Sequence, residues 1–196
     1  QALPKPGTPC AFLSYGISSE WSVDSALAKR TGCKGFLFDP TVNHKAHPEN
    51  NLWFGAFAAP MISGNERGWV ELSPPRAVAA FVGPDVQLPV LKMDCEGGEY
   101  AVADAIIKQD RYLLKRVSQV ALEIHTGIKW CKGHAEVIGL ARLFWLLKEA
   151  GLEFIRAEIG GCAMFKEMVG YNQELIDHGI PSARNKCCQE WLFARL

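Results

Sequence analysis

The chain has no excess of either charge, since its 21 basic residues are matched by 21 acidic ones. A surface balanced in this way has no field to gather nucleic acid or an anionic membrane, so small or neutral partners suit it better. Long apolar runs are missing too. The longest candidate, Val137 to Leu147, is broken by Gly139 and Arg142, and no membrane insertion by this chain is expected. There is no internal repeat, and no complete G-x-G-x-x-G fingerprint, which counts against a nicotinamide dehydrogenase. His44 and His47, with Cys33 or Cys131, match no zinc spacing and read as solvated loop residues, so no metal is assigned.

What is present suits one compact α/β domain. The 196 residues are 48% hydrophobic, enough for a sizeable core. Residues 1–9 begin at Gln1 and are rich in proline, which reads as a linker or processed lead ahead of a domain at 10–196. Seven cysteines, an odd number, leave at least one thiol unpaired or bonded to another chain. The expected location is therefore the secretory lumen or the outside of the cell, with the cytoplasm as the alternative. Cys10 and Cys33 precede the first and second expected strands at matching offsets, so neighbouring strands would bring them close. A disulfide and a pair of buried free thiols both fit that placement. The adjacent Cys187 and Cys188 point to opposite faces if they lie in a strand.

Strand and helix signals alternate along the chain. Ala11 to Tyr15, closed by Gly16, reads as a central strand. Ser22 can cap a helix that buries Val23, Ala26 and Leu27 and stops at Gly32, before a second strand from Gly35 to Asp39. A third strand is expected in LWFGAFAAP, followed by a turn at SGNERG and a helix starting at Ser73 and its prolines. Val86 to Met93 leads into Asp94 as the fourth strand. A helix from Tyr100 to Lys108 and a fifth strand from Ser118 to His125 come next. His134 to Ala150 is the clearest helix, with Val137, Leu140, Ala141, Phe144 and Leu147 on its apolar face, and two late strands lie near 152–159 and 188–194. Such alternation predicts a doubly wound, Rossmann-like sheet.

Chemistry-bearing residues gather where strands end, the edge at which open α/β sheets bind ligands. Gly16 lets backbone N–H groups approach a ligand, and Ser18 and Ser19 add hydroxyls; an ordinary strand-to-helix turn is the plainer alternative. Asp39 closes the second strand, where a carboxylate can accept both ribose hydroxyls of a nucleoside. Asp94, Glu96 and Glu99 crowd the end of the fourth strand. Glu96 and Glu99 also fit the first turn of the next helix, where the dipole favours acids. Asp94 is expected to face the crevice, and His125 ends the fifth strand with an imidazole able to take a proton from a hydroxyl. Trp21, Trp53 and Trp130 read as core or rim, although one near the crevice could stack on adenine or a sugar.

Three ordered motifs, SYGISSEWSVD, GCKGFLFDP and LKMDCEGGEY, resemble the methyltransferase-like proteins related to FkbM-type sugar O-methyltransferases, from about Cys10 to His125. The resemblance implies a class I methyltransferase fold that binds S-adenosylmethionine. It places Gly16, Ser18 and Glu20 at the donor's methionine end, Asp39 at its ribose, and Asp94 and Glu96 on the reaction side. Cys95 and Gly98 depart from the family's acidic motif. The expected activity is O-methylation of a small-molecule or glycan hydroxyl, with Asp94 or His125 handling the proton. The rival from another class is an inactive fold serving as a structural or binding subunit of a larger assembly.

Overall fold

The computed structural model describes residues 4, 7–62, 68–125, 134–160 and 188–196, without the side chains of 159 and 160. Most of the SGNERG turn, together with Trp130, Cys131 and Cys187, lies outside the described residues.

Strand β1 (Ala11–Tyr15) is buried along its whole length, and its alternate side chains feed opposite cores. Leu13 and Tyr15 join one cluster, whereas Phe12 joins Leu37, Leu52 and Ala28 in the other. Around it lie β2 (Lys34–Phe38), β3 (Leu52–Gly55), β4 (Leu88–Met93), β5 (Val117–His125), β6 (Glu153–Gly160) and β7 (Cys188–Ala194). Their order is β3-β2-β1-β4-β5-β7-β6. Strands β1 to β5 run parallel, and β7 is antiparallel to both of its neighbours. This single seven-stranded sheet with one reversed strand is a doubly wound, Rossmann-like sheet. The chain leaves β1 in one direction to build β2 and β3, then returns to lay β4 on the other side of β1. The switch point, and with it the natural crevice, therefore falls between the ends of β1 and β4.

Helices cover the sheet as the apolar spacing requires, with some shifts. Helix α1 (Ser22–Thr31) ends at Gly32, whose φ of 71° lets its N–H reach the Ala28 carbonyl. Its buried face is Asp24 and Ala28, however, and Val23 and Ala26 are exposed. The rotation puts Asp24 beside Lys92 and Ser14, so the helix faces a polar patch of the sheet. Ser22 does not cap the helix; instead Glu20 accepts the Ser22 N–H at 2.8 Å. Helix α2 (Pro74–Ala77) continues as a π-helical turn through Val82. Helices α3 (Glu99–Gln109), α4 (Leu113–Arg116) and α5 (His134–Glu149) complete the described set.

On α5 the buried residues include Val137, Leu140, Leu143, Leu146 and Leu147, while Ala141 is exposed. Gly139, read in the sequence as an interruption, is a contact. A Cβ there would stand 2.1 Å from the Tyr100 carbonyl, so the helix backbones of α3 and α5 meet at this point. The third strand is four residues long, much shorter than the apolar run that contains it, because the chain turns away after Gly55.

Cys10 and Cys33 form a disulfide that joins the starts of β1 and β2. Closing a loop of this length stabilises a fold by roughly 3 kcal/mol, comparable with burying one large apolar side chain at about 1.5–3 kcal/mol. Reduction, or the double substitution Cys10→Ala and Cys33→Ala, should lower the unfolding free energy by about 3 kcal/mol in urea melts. An unchanged midpoint with and without reductant would show that the two thiols are free in solution.

Candidate functional site

The switch point is built on a missing side chain. Gly16 follows β1 with φ 71°, and a Cβ on it would stand 1.4 Å from the carbonyl oxygen of Asp94. The turns after β1 and β4 are thus pressed together, and the Asp94 N–H donates to the Tyr15 carbonyl at 3.0 Å. Lys92, in the body of β4, reaches back so that its ammonium lies 3.4 Å from the Gly16 carbonyl.

On one side of this junction lies Asp39, only 7% exposed. Its Oδ2 accepts the Ser18 N–H at 2.8 Å, and its Oδ1 accepts both the N–H and the hydroxyl of Thr41. Ser18 has φ 49°, so the turn is held in a left-handed conformation with its amide aimed at the carboxylate. The carboxylate lines a cavity of about 120 Å³ whose other walls include Ile17, Leu37, Val42, His44 and Phe54. His44 Nε2 lies 2.9 Å from the Ser18 carbonyl. With Trp21, His47 and Phe54 it forms an aromatic cluster, in which Trp21 stacks on His47 at 5.1 Å. His44 therefore packs as part of the cavity wall, while His47, 37% exposed, stacks on Trp21 and pairs with Glu49 at the surface. Ser19 and Glu20 are exposed on the turn, and Glu20 is occupied by the Ser22 N–H at the start of α1.

On the other side, the loop after β4 wraps around Glu99. Its carboxylate is fully buried and accepts N–H groups from Cys95 at 2.9 Å and Gly97 at 2.9 Å. Its Oε1 also pairs with His125 Nδ1 at 3.0 Å. Tyr100, the next residue, donates its hydroxyl to the His125 carbonyl, so the start of α3 holds His125 by ring and backbone together. Glu99 does begin a helix, but its role is internal, binding loop and imidazole rather than decorating a solvated dipole. Glu96 is not in the helix. It is exposed in the loop with φ 50°, and the tight wrap around Glu99 requires this conformation.

The ring's other nitrogen, Nε2, faces Asp94 at 3.8 Å and Glu123 at 4.0 Å. Burial raises the Asp94 pKa to about 7, helped by Glu123 and opposed by Lys92 and His125. Burial alone would lower the His125 pKa. The hydrogen bond and charge of Glu99, with Glu123 and Asp94, raise it instead to about 9. Cys95, the departure from the family motif, is a half-buried residue whose thiol is held well above its ordinary pKa by desolvation, then by Glu99 and Asp94. Gly98, the other departure, is a packing requirement, since a Cβ there would lie 2.8 Å from the Cys95 Cβ and 2.9 Å from that of Ala59.

Sequence reading found the two sides of this rim but missed Glu123, Lys92 and Thr41. Glu123 stands two residues before His125 in a strand, so period-two alternation puts both on one face, and that signal was available. Lys92 was visible as a lone charge in an apolar strand. The Thr41 contact depends on the path of the loop after Asp39, for which the sequence offered no marker.

No family model matches the chain, and no curated protein matches it. Among solved structures it is similar to fibrillarin in its complex with Nop5p, with a TM-score of 0.47 and 10% identity over 100% of this chain and 77% of that one. The [4+2]-cyclase SpnF gives 0.47 and 11% over 96% and 76%. A SAM-dependent methyltransferase from Archaeoglobus fulgidus gives 0.44 and 14% over 95% and 86%.

Glu99 should be the least replaceable polar residue of the rim. In Glu99→Gln one oxygen remains for two backbone N–H groups, and the new amide turns donors towards donors. A loss of about 3 kcal/mol is expected, or roughly 6–12 °C in a thermal melt followed by circular dichroism. Glu96→Gln, on the exposed side of the same loop, should leave the midpoint within about 1 °C.

Proposed function

We propose that the chain is an S-adenosylmethionine-dependent methyltransferase that methylates a hydroxyl of a small molecule or glycan, and that it belongs with the FkbM-related proteins. One observation carries this reading. A buried carboxylate, Asp39, lines a cavity at the end of β2, and an acid and an imidazole, Asp94 and His125, stand two and three strands further along the same rim. Strand spacing puts Asp39 and Asp94 roughly 10 Å apart, room for an extended nucleoside ligand to cross the switch point between them.

The residues fit such a donor. Apolar Ile17, Leu37, Val42 and Phe54 suit a purine, and Asp39 Oδ2, which takes one N–H from Ser18, retains an acceptor position for a ribose hydroxyl. Gly16, Ser18, Ser19 and Glu20 stand on the β1 turn, where the resemblance puts the methionine end; the Gly16 and Ser18 N–H groups are already spent on the Phe38 carbonyl and on Asp39, so what the turn offers a donor is close approach. When bound, S-adenosylmethionine supplies an electrophilic methyl group. The chain's own contribution is alignment, plus a proton acceptor for the substrate hydroxyl. In this reading Asp94, half-buried at the crevice, takes that role, with the His125 imidazole, held by Glu99, 3.8 Å from it. Glu96 lies beside them on the solvent side. The Cys10–Cys33 bond supports residence in an oxidising compartment such as the secretory lumen, where glycan acceptors occur.

Calorimetry with S-adenosylmethionine and with its demethylated product tests the reading. The folded protein should bind both, and Asp39→Ala should weaken binding by at least about tenfold, from the loss of a charge-assisted hydrogen bond. Asp94→Asn should keep donor affinity while lowering turnover by about 100-fold or more. If the intact, folded chain binds neither compound, the sheet serves as a structural block within an assembly instead.

A further inference from the structure

The group at the ends of β4 and β5 has a feature that proton transfer does not use. Asp94, Glu123 and His125 each bring one ligand atom to the same spot on the rim, and these atoms lie within 4.8 Å of one another. His125 reaches the spot with Nε2, because Nδ1 is spent on the fully buried Glu99. A carboxylate that holds the far nitrogen of an imidazole fixes the ring's tautomer and rotation and makes the near nitrogen a better electron-pair donor. This is the arrangement found behind metal-bound histidines. The two Nε2 distances, 3.8 and 4.0 Å, are long for direct hydrogen bonds. They suit a shared centre. Atoms bonded to one cation at about 2.1 Å are about 3.0 Å apart at a right angle and about 4.2 Å apart in line.

We propose that Asp94, Glu123 and His125 bind one divalent cation of the Zn²⁺ or Mn²⁺ type, with Glu99 as the residue that positions the imidazole. Charge supports it. An ion that displaces the His125 proton takes over the positive charge that now sits among the carboxylates of Asp94, Glu99 and Glu123, with Lys92 as the other cation nearby. The donor set supports it as well, since one imidazole with two carboxylates favours borderline divalent ions over Mg²⁺ or Ca²⁺, which prefer oxygen alone. The framework is rigid where it must be and yielding where it can be. The His125 and Glu99 side chains are 6% and 0% exposed, whereas Asp94 and Glu123 retain 32% and 24% and can close slightly on an ion. Three protein ligands leave open positions towards the crevice, so the ion could take a hydroxyl oxygen of an acceptor directly. This last consequence rests on the methyltransferase reading; the binding site does not.

The test needs no methyl donor. Chelator-treated full-length protein is titrated with MnCl₂ and free Mn²⁺ is followed by electron paramagnetic resonance, with ZnCl₂ competition read in the same cell. One saturable site per chain is expected, displaced by Zn²⁺ and unaffected by a large excess of Mg²⁺. Glu123→Gln, a change at a half-buried position that keeps size and fold, should weaken Mn²⁺ binding by at least about tenfold, and His125→Ala by more. Failure of the folded wild-type chain to take up Mn²⁺ or Zn²⁺ overturns the proposal, as does Mn²⁺ affinity unchanged in Glu123→Gln. Either result would leave His125 as a protonated bridge between acids. Calorimetry with S-adenosylmethionine on the metal-free protein reports separately, so failure of one reading is not mistaken for failure of the other.

Discussion

Glu99 carries a charge where almost no water reaches, and much of the rim is organised to keep it there. Two backbone N–H groups from the loop after β4 point at its oxygens, and the imidazole of His125 closes the third side. Remove the carboxylate and the loop loses the anchor that bends it, the helix α3 loses its first turn's partner, and the imidazole is free to rotate. A buried ion held in this way is not a cheap source of stability, because its desolvation offsets most of the attraction. Its value lies in specificity: few other arrangements of these residues would satisfy every donor.

The same carboxylate links local geometry to possible chemistry. His125 is rigid because Glu99 holds the ring and Tyr100 holds the carbonyl, and so Nε2 faces Asp94 and Glu123 without choice of rotamer. On the far side of Gly16, Asp39 is organised by the opposite means. There a flexible-looking turn is fixed by its own backbone, with Ser18 in a left-handed conformation and Thr41 folding back on the carboxylate. The crevice is therefore framed by an imidazole set by a helix start and an acid set by a turn. Gly16, pressed against the Asp94 carbonyl, lets the turns after β1 and β4 pack directly together between them.

Several features were legible from residues alone. Alternating short apolar runs and helical stripes are enough to indicate a doubly wound sheet, because each pattern has its own period and each connection is too short for other topologies. Asp39, Asp94 and His125 were recognisable as rim residues because each ends a strand. Misreadings came where tertiary contacts overrode local preference. Val23 looked like core, yet α1 turned to set Asp24 against the polar patch around Lys92; Ala141 looked buried, yet the approach of α5 to α3 at Gly139 placed Leu143 inside instead. Gly98 looked like a lesion in an acidic motif and is a fitted piece of packing.

By itself the sequence determined which segments could be strands, where most of them would stop, and which ionisable groups would stand at those stops, since periodicity and breakers act over a few residues. It also brought Cys10 and Cys33 to matching positions without deciding whether they bond. Only the tertiary structure decided that Glu99 is internal, that Glu123 joins Asp94 and His125, and that His44 packs beside the Asp39 cavity. Those outcomes depend on contacts between residues that are 26 to 31 positions apart or come from loops without a periodic signal. No rule of spacing along one element reaches that far.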